Sequence, residues 1–152
     1  MTINLEALDK FSRQFLEWLC QKRPELADAT EVDERWTSPT KPLVIRLRPP
    51  RAELPELELS SENDEVTLWY DRWHEHFAFL AEQSKEEGFQ EALDSLDEIL
   101  QERVAVTVTM VGDDWRGSHT WSPGEPFPEP PPGGMTYMRS WKGTFNREEH
   151  AR

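Results

Sequence analysis

The spacing of hydrophobic residues switches between two periods along this chain, and the order of these periods limits the folds it can adopt. Near the start, apolar side chains such as Leu8, Phe11 and Phe15 recur every three or four residues. This spacing predicts an amphipathic helix that Asn4 caps and that ends near Pro24. Residues 80–103 repeat the helical spacing. Elsewhere, apolar residues occur at every second position, which is typical of β-strands.

The strand patterns lie between the two helical segments and after the second one. They cover residues 43–48, 57–59, 66–77, 104–110 and 134–145. A helix, several strands, a second helix and further strands predict an α+β fold. We expect a largely antiparallel sheet of about five strands, with two main helices packed on one face. Strands and helices do not alternate regularly, which argues against a doubly wound sheet.

The length of 152 residues fits a single domain that covers residues 1–152. Residues 122–134 hold half of the 12 prolines and predict an extended loop between strands. Docking of this segment on an aromatic-lined groove is the alternative. Residues 146–152 are expected to form a frayed tail.

The net charge of −13, from 30 acidic and 17 basic residues, argues against some kinds of partner. Nucleic acids and anionic membrane surfaces attract lysine and arginine, so we expect neither as a direct partner. The excess of carboxylates fits a basic protein partner, or it serves only solubility.

The compartment is predicted from the single cysteine and from the absence of targeting patterns. Cys20 lies on the apolar side of the first helix, where we expect it to pack in the core, and it has no second cysteine to pair with. No signal peptide pattern is visible, and no apolar run approaches the roughly 18 residues that span a bilayer. We therefore expect a cytoplasmic protein. We also expect that it has no cofactor.

The second helix carries carboxylates on every face except the apolar one. The simplest interpretation is a solvated helix surface. However, like charges four residues apart weaken a helix by a few tenths of a kcal/mol per pair, which suggests a use for this charge. We predict that it steers a basic protein. The acidic residues are Glu82, Glu86, Glu87, Glu91, Asp94, Asp97, Glu98 and Glu102, and those expected to bind the partner are Glu87, Glu91, Asp94 and Glu98.

The segment YDRWHEHF places two histidines one residue apart. On a single strand, His74 and His76 would point to the same side, as two metal ligands do. A third ligand would have to come from elsewhere, and the candidates are Asp71, Asp113, Asp114 and His119. This set defines an alternative function as a metal-dependent hydrolase. The favoured interpretation is that aromatic neighbours fill the core and the histidines lie near a strand end. No nucleophile motif or phosphate-binding glycine loop accompanies them, so an enzyme is not favoured.

Aromatic residues flank the proline-rich segment on both sides. Exposed, they would anchor a partner, since tryptophan and tyrosine are common at interface hot spots. Buried, they would hold the loop in place. The residues are Trp115, Trp121, Tyr137 and Trp141, and the first three are the predicted partner-binding aromatics.

The segments EVTLWYDRWHEHF, ERVAVTVTMVGDDW and RSWKGTF, together with the acidic helix, show a family likeness. Over residues 65–145 the chain resembles small uncharacterised bacterial proteins, some of which resemble immunity proteins that neutralise polymorphic toxins. The resemblance implies a non-enzymatic, acidic protein that binds a basic toxin or effector domain. A DNA mimic that inhibits a nucleic-acid-binding protein is a further alternative.

Overall fold

The computed structural model describes residues 3–77 and 83–152 and has an α+β fold. It contains two antiparallel sheets, one of five strands and one of four, so the predicted fold class is confirmed. The chain divides into two compact units. The first comprises Met1–Leu47, Leu57–Trp69 and His74–Asp94, and the second comprises Arg48–Glu56, Tyr70–Trp73 and Ser95–Arg152. The single-domain organisation stays a prediction.

The predicted helices are present. Helix α1 spans Lys10–Lys22, the short helix α2 spans Pro24–Ala27, and α3 spans Lys85–Leu100. A proline at the first position of α2 has no amide hydrogen to leave unpaired there, so α1 ends just before it, as predicted. The predicted start of the second helix, at residues 80–82, lies outside the described residues and includes Glu82.

Helix α1 begins later than its apolar spacing predicts. Asp9 is its N-cap and accepts a hydrogen bond from the Ser12 amide at 2.7 Å. Asn4, the predicted cap, instead accepts from the Glu6 amide and caps a short 3₁₀ turn over Leu5–Ala7. Cys20 is exposed rather than packed in the core, so that prediction is wrong.

The five-stranded sheet has its strands in chain order. Its members are β1 (Thr30–Val32), β2 (Leu43–Leu47), β3 (Leu57–Glu62), β4 (Glu65–Tyr70) and β5 (Trp73–Phe77). The four-stranded sheet has the order β7-β6-β8-β9. Its members are β6 (Ala105–Val111), β7 (Asp114–Trp121), β8 (Met135–Arg139) and β9 (Arg147–His150).

The single strand predicted over residues 66–77 is two strands. Strands β4 and β5 are joined by Asp71 and Arg72, and Asp71 has a φ of 54°. Aspartate tolerates this left-handed conformation better than most residues, which makes it suitable for a tight turn. Aromatic residues stand on both sides of the turn, and they masked the break in the apolar alternation.

The proline-rich segment joins two strands that lie on opposite sides of β6. Residues 122–134 contain neither helix nor strand, and they connect β7 to β8. At the end of this loop, a Cβ atom on Gly134 would lie 2.4 Å from the Met110 carbonyl oxygen. Glycine is therefore required where the loop enters β8.

The prediction of a frayed tail over residues 146–152 is wrong. Residues Arg147–His150 form β9, which pairs with β8 from Met138↔Arg147 to Met135↔His150. The segment is polar throughout and so lacks an apolar signal. An edge strand with exposed side chains accepts charged residues, and they protect it against unwanted pairing.

In the first unit, the inner face of the five-stranded sheet packs on α1. The inner face carries buried leucines of β3 and buried residues of β2 such as Ile45. The Ser12 hydroxyl of α1 donates to the Ser61 carbonyl at 2.7 Å, which ties helix to sheet. Phe89 of α3 contacts the rings of Phe11 and Phe15, with centroids 5.3 and 4.9 Å apart. Aromatic burial on this scale compensates for the low apolar content of the chain.

In the second unit, Val106 and Val108 of β6 are fully buried, together with Leu96 and Ile99 of α3. Glu102 follows α3 with a φ of 54°. Its carboxylate accepts hydrogen bonds from the Thr144 hydroxyl and from the Lys142 and Thr144 amides. This single side chain therefore fixes the segment that leads into β9.

Tyr70 is fully buried, and its hydroxyl has no hydrogen-bond partner among the described residues. Burial raises its pKa. An unpaired buried hydroxyl costs about 1–3 kcal/mol.

We therefore expect Tyr70→Phe to raise the free energy of unfolding by about 1 kcal/mol in urea denaturation. Tyr70→Ala removes the ring that lies 6.4 Å from Trp141 and should lower it by about 3–5 kcal/mol. A Tyr70→Phe variant less stable than the wild type would contradict this view of the hydroxyl.

Candidate functional site

The outer face of the five-stranded sheet carries the polar side chains of its strands. Successive residues of a strand point to opposite faces, and on β3 this places the leucines inward and Glu58, Ser60 and Glu62 outward. The outward residues border a cleft of about 290 Å³, which we call the outer-face cleft. It is lined by Asp33, Trp36, Pro42, Val44, Glu58, Ser60, Glu62, Glu65, Thr67, Trp69 and His76.

One side of the outer-face cleft is built around the guanidinium of Arg46. It donates to Glu58 at 2.8 Å, to Asp33 at 2.9 Å and to Glu31. Arg35 donates to both oxygens of Asp33. Asp33 is 4% exposed, and the Arg35 hydrogen bonds together with the charge of Arg46 lower its pKa against the effect of burial. A charge that is this well paired is tolerated away from water.

The carboxylates near the β3–β4 turn have a different environment. Burial, followed by the negative charges of Glu65 and Asp9, raises the pKa of Glu62. Glu65 accepts from the His76 imidazole, with a distance of 2.9 Å between Oε1 and Nδ1. Negative charge is therefore less well compensated here than around Arg46.

Two tryptophans of the cleft are unusually exposed. Trp36 is 45% exposed and Trp69 is 41% exposed, although large aromatic side chains normally bury most of their surface. Trp69 stacks obliquely on His74, with ring centroids 4.4 Å apart. The cleft thus combines aromatic surface with carboxylates, a pairing that suits a cationic group.

The histidine pair points to one side, as the strand alternation predicts, but the proposed metal ligands do not assemble. The His74 and His76 rings lie 5.0 Å apart. Within residues 3–77 and 83–152, no group of three or more histidine, cysteine, aspartate or glutamate side chains is arranged to hold a metal ion. Asp71 lies in the β4–β5 turn. Burial raises the pKa of Tyr137, and the negative charge of Asp71 raises it further.

The four predicted carboxylates of α3 are all exposed on one helix face, since they are separated by four, three and four residues. Glu87 has a structural task as well. Its side chain accepts from the Ser84 amide at 2.9 Å, and its own amide donates to the Ser84 hydroxyl at 3.2 Å. This is a capping box, and the sequence SKEE was its available signal. Asp94 accepts from Gln90 at 2.8 Å.

The predicted aromatic anchors divide into exposed and buried residues. Trp115 is 51% exposed, and its indole donates to the Ser118 hydroxyl. Trp121 is half-buried and holds the proline-rich loop through the Glu125 carbonyl at 3.0 Å. Tyr137 and Trp141 are buried. Tyr137 therefore stabilises the second unit and is not available as an anchor.

Residues that sequence reasoning missed supply much of the cleft. Trp36 stands in a segment that reads as a polar connection, and Asp33 and Arg35 precede it. Their one signal was an isolated tryptophan directly after the charged run Asp33, Glu34 and Arg35. The ion pair between Arg46 and Glu58 was also missed, because it depends on the register of β2 against β3.

No protein-family model, curated protein or solved structure matches this chain. Among the described residues, no helix combines the length and apolar character needed to cross a membrane.

The Asp33 carboxylate should make the stability of the protein depend on acid pH. Its folded-state pKa lies below that of the unfolded chain, about 3.9. Its contribution is therefore present above that value and is lost as the pH falls through the folded-state pKa. We expect Asp33→Asn to lower the free energy of unfolding at pH 7 by about 2 kcal/mol and to flatten its acid dependence. The exposed Asp28→Asn is the control. Equal pH profiles for the wild type and Asp33→Asn would refute the assignment.

The capping box separates the structural from the surface carboxylates of α3. Ser84→Ala and Glu87→Ala should each lower the free energy of unfolding, Ser84→Ala by about 1 kcal/mol. Glu91→Ala, on the same face, should change it by less than about 0.5 kcal/mol. Urea denaturation followed by circular dichroism measures all three. If Glu91→Ala proves as costly as Glu87→Ala, the cap does not explain the effect.

Proposed function

We propose that this protein binds a basic protein partner and catalyses no reaction, as immunity proteins do when they neutralise a toxin domain. The observation that carries the proposal is the exposed carboxylate row of α3, formed by Glu87, Glu91, Asp94 and Glu98. The whole chain, including this row, carries a net charge of −13. Fields of this kind attract oppositely charged proteins and raise the rate of encounter.

The charge of the row is not neutralised by the basic residue of its own helix. Lys85 is the single lysine or arginine of α3. Its ammonium contacts Gln14 at 3.2 Å, Asp64 at 3.5 Å and the face of the Phe11 ring. It is thus engaged beside the start of the helix. Like charges four residues apart repel one another, and a cationic partner would relieve that repulsion.

Exposed aromatic residues supply the contacts that charge alone cannot. Electrostatic steering raises association rates, while slow dissociation depends on well-packed anchors that exclude water. Trp36, Trp69 and Trp115 are each more than 40% exposed. Trp36 and Trp69 line the outer-face cleft, and we assign these two as the anchors, whereas Trp115 does not line it.

The test begins with recovery of the partner from the native host by the full-length protein at low salt. A toxin reading frame immediately upstream of this gene would identify the partner independently. Association of the purified pair is then measured between about 0.05 and 0.5 M salt. We expect a basic partner whose association rate falls steeply as salt rises, because screening weakens steering.

A charge-matched pair of triple variants locates the attraction. Glu91→Gln, Asp94→Asn and Glu98→Gln together should slow association about tenfold at low salt. The control combines Glu6→Gln, Asp113→Asn and Glu129→Gln, which remove the same charge from other exposed positions. Association that is insensitive to salt, or a partner that is not basic, would refute the proposal.

A further inference from the structure

We infer, resting on the proposed function, that the outer-face cleft is the docking site for an arginine side chain presented by the basic partner. Its guanidinium would stack on exposed indole surface and donate to the carboxylates near the β3–β4 turn. The ligand is thus a cationic, planar group carried on a protein segment, and the docking residues are Trp36, Trp69, Glu62 and Glu65.

The exposed indoles are the first reason. Trp36 and Trp69 line the same cleft, and each leaves more than 40% of its surface in water. Two exposed indoles in one cleft form a larger apolar surface than a single exposed tryptophan, and such shared patches mark contact sites. Aromatic faces attract cations, and tryptophan does so most strongly. A guanidinium also stacks flat against an indole, which an ammonium cannot do.

The acceptors are the second reason. Glu62 and Glu65 lie at opposite ends of the two-residue β3–β4 turn, and both line the cleft. Glu62 is partly buried, and Glu65 and Asp9 add negative charge near it, so a cation beside it would be stabilised. Carboxylates bind guanidinium through paired, charge-assisted hydrogen bonds.

The sheet already holds one guanidinium by the same chemistry. Arg46 lies on this face between Glu58, Asp33 and Glu31, and three of its nitrogens donate to the three carboxylates. Those acceptors are used by the protein itself. Glu62 and Glu65 stand on the same face, and neither contacts Arg46 among the described ion pairs. The outer face therefore offers two further carboxylates to a guanidinium from outside, although one oxygen of Glu65 already accepts from His76.

The size of the cleft favours a side chain over a separate small molecule. Its volume of about 290 Å³ is at or below the lower limit of ligand pockets, which run from about 300 to 1,000 Å³. A basic protein that α3 attracts would bring arginine side chains to this surface. Docking of an arginine in the cleft would then fix the orientation of the partner, whereas the charge of α3 only raises its association rate.

The experiment uses the full chain and a hexa-arginine peptide as the probe. Binding is followed by NMR through the indole N–H resonances of Trp36 and Trp69, assigned with Trp→Phe variants. We expect saturable shifts at both indoles. Trp69→Ala and the double variant Glu62→Gln, Glu65→Gln should each weaken peptide binding at least fivefold. Thermal unfolding of every variant confirms that it remains folded.

Matched controls lie outside the cleft. Trp115→Ala removes a comparably exposed tryptophan, and the double variant Asp113→Asn, Glu129→Gln removes two exposed carboxylates that belong neither to the cleft nor to α3. Each control should weaken peptide binding less than twofold. A hexa-lysine peptide should bind at least threefold more weakly than hexa-arginine, because it cannot stack. Equal loss in the controls and the cleft variants, or equal affinity for the two peptides, would overturn the assignment.

The partner itself separates this inference from the proposed function. If a basic partner binds but Trp69→Ala leaves its affinity unchanged, the cleft is not the docking site and the proposed function stands. If no basic partner exists, the proposed function fails, even where the arginine peptide shifts the two indoles. If Trp69→Ala lowers the affinity for the partner at least tenfold and Trp115→Ala leaves that affinity unchanged, both the proposed function and the docking site are supported.

Discussion

The guanidinium of Arg46 is the interaction on which the outer face of the five-stranded sheet depends. It joins Glu31 of β1 to Glu58 of β3 and to Asp33, which follows β1. A one-residue slip of β2 against β3 would turn Arg46 inward and Ile45 outward, so the network and the apolar inner face enforce the same register. The charges that shape the cleft are therefore part of the fold.

The paired and the less compensated carboxylates of this protein have different roles. Carboxylates around Arg46 are paired within the first unit, and removal of one partner would leave a poorly solvated charge uncompensated. The exposed row of α3 and the pair at the β3–β4 turn are less compensated. We propose that the first of these accelerates encounter with a basic protein and that the second receives its arginine. Exposed indoles provide the contact area that would slow dissociation.

Periodicity was enough to predict the α+β class and the end of α1 at the proline, because both follow from local rules. Periodicity gave wrong predictions where an unusual backbone conformation, or pairing with a strand distant in sequence, determines the structure. The turn at Asp71 requires a left-handed residue inside a run of aromatics, and β9 is a charged edge strand without an apolar signal.

The types of residue in the candidate site, carboxylates and tryptophans, were predictable from the sequence, but their positions in the fold were not. The carboxylates of α3 were found from spacing, while the capping task of Glu87 depends on Ser84 just outside the helix. Trp36 and Trp69 lie in different segments, and only the folded sheet brings them to one cleft. The burial of Tyr137 on β8 likewise follows from tertiary packing, which the spacing of residues along the chain does not reveal.

Amide hydrogen exchange of the full chain, with and without the basic partner recovered from the host, tests the central claim most directly. The account predicts slower exchange in residues 33–44 and in β4 and β5, with exchange in β7 and the proline-rich loop unchanged. Protection confined to β7 and that loop, or no protection anywhere in a stable complex, would contradict it.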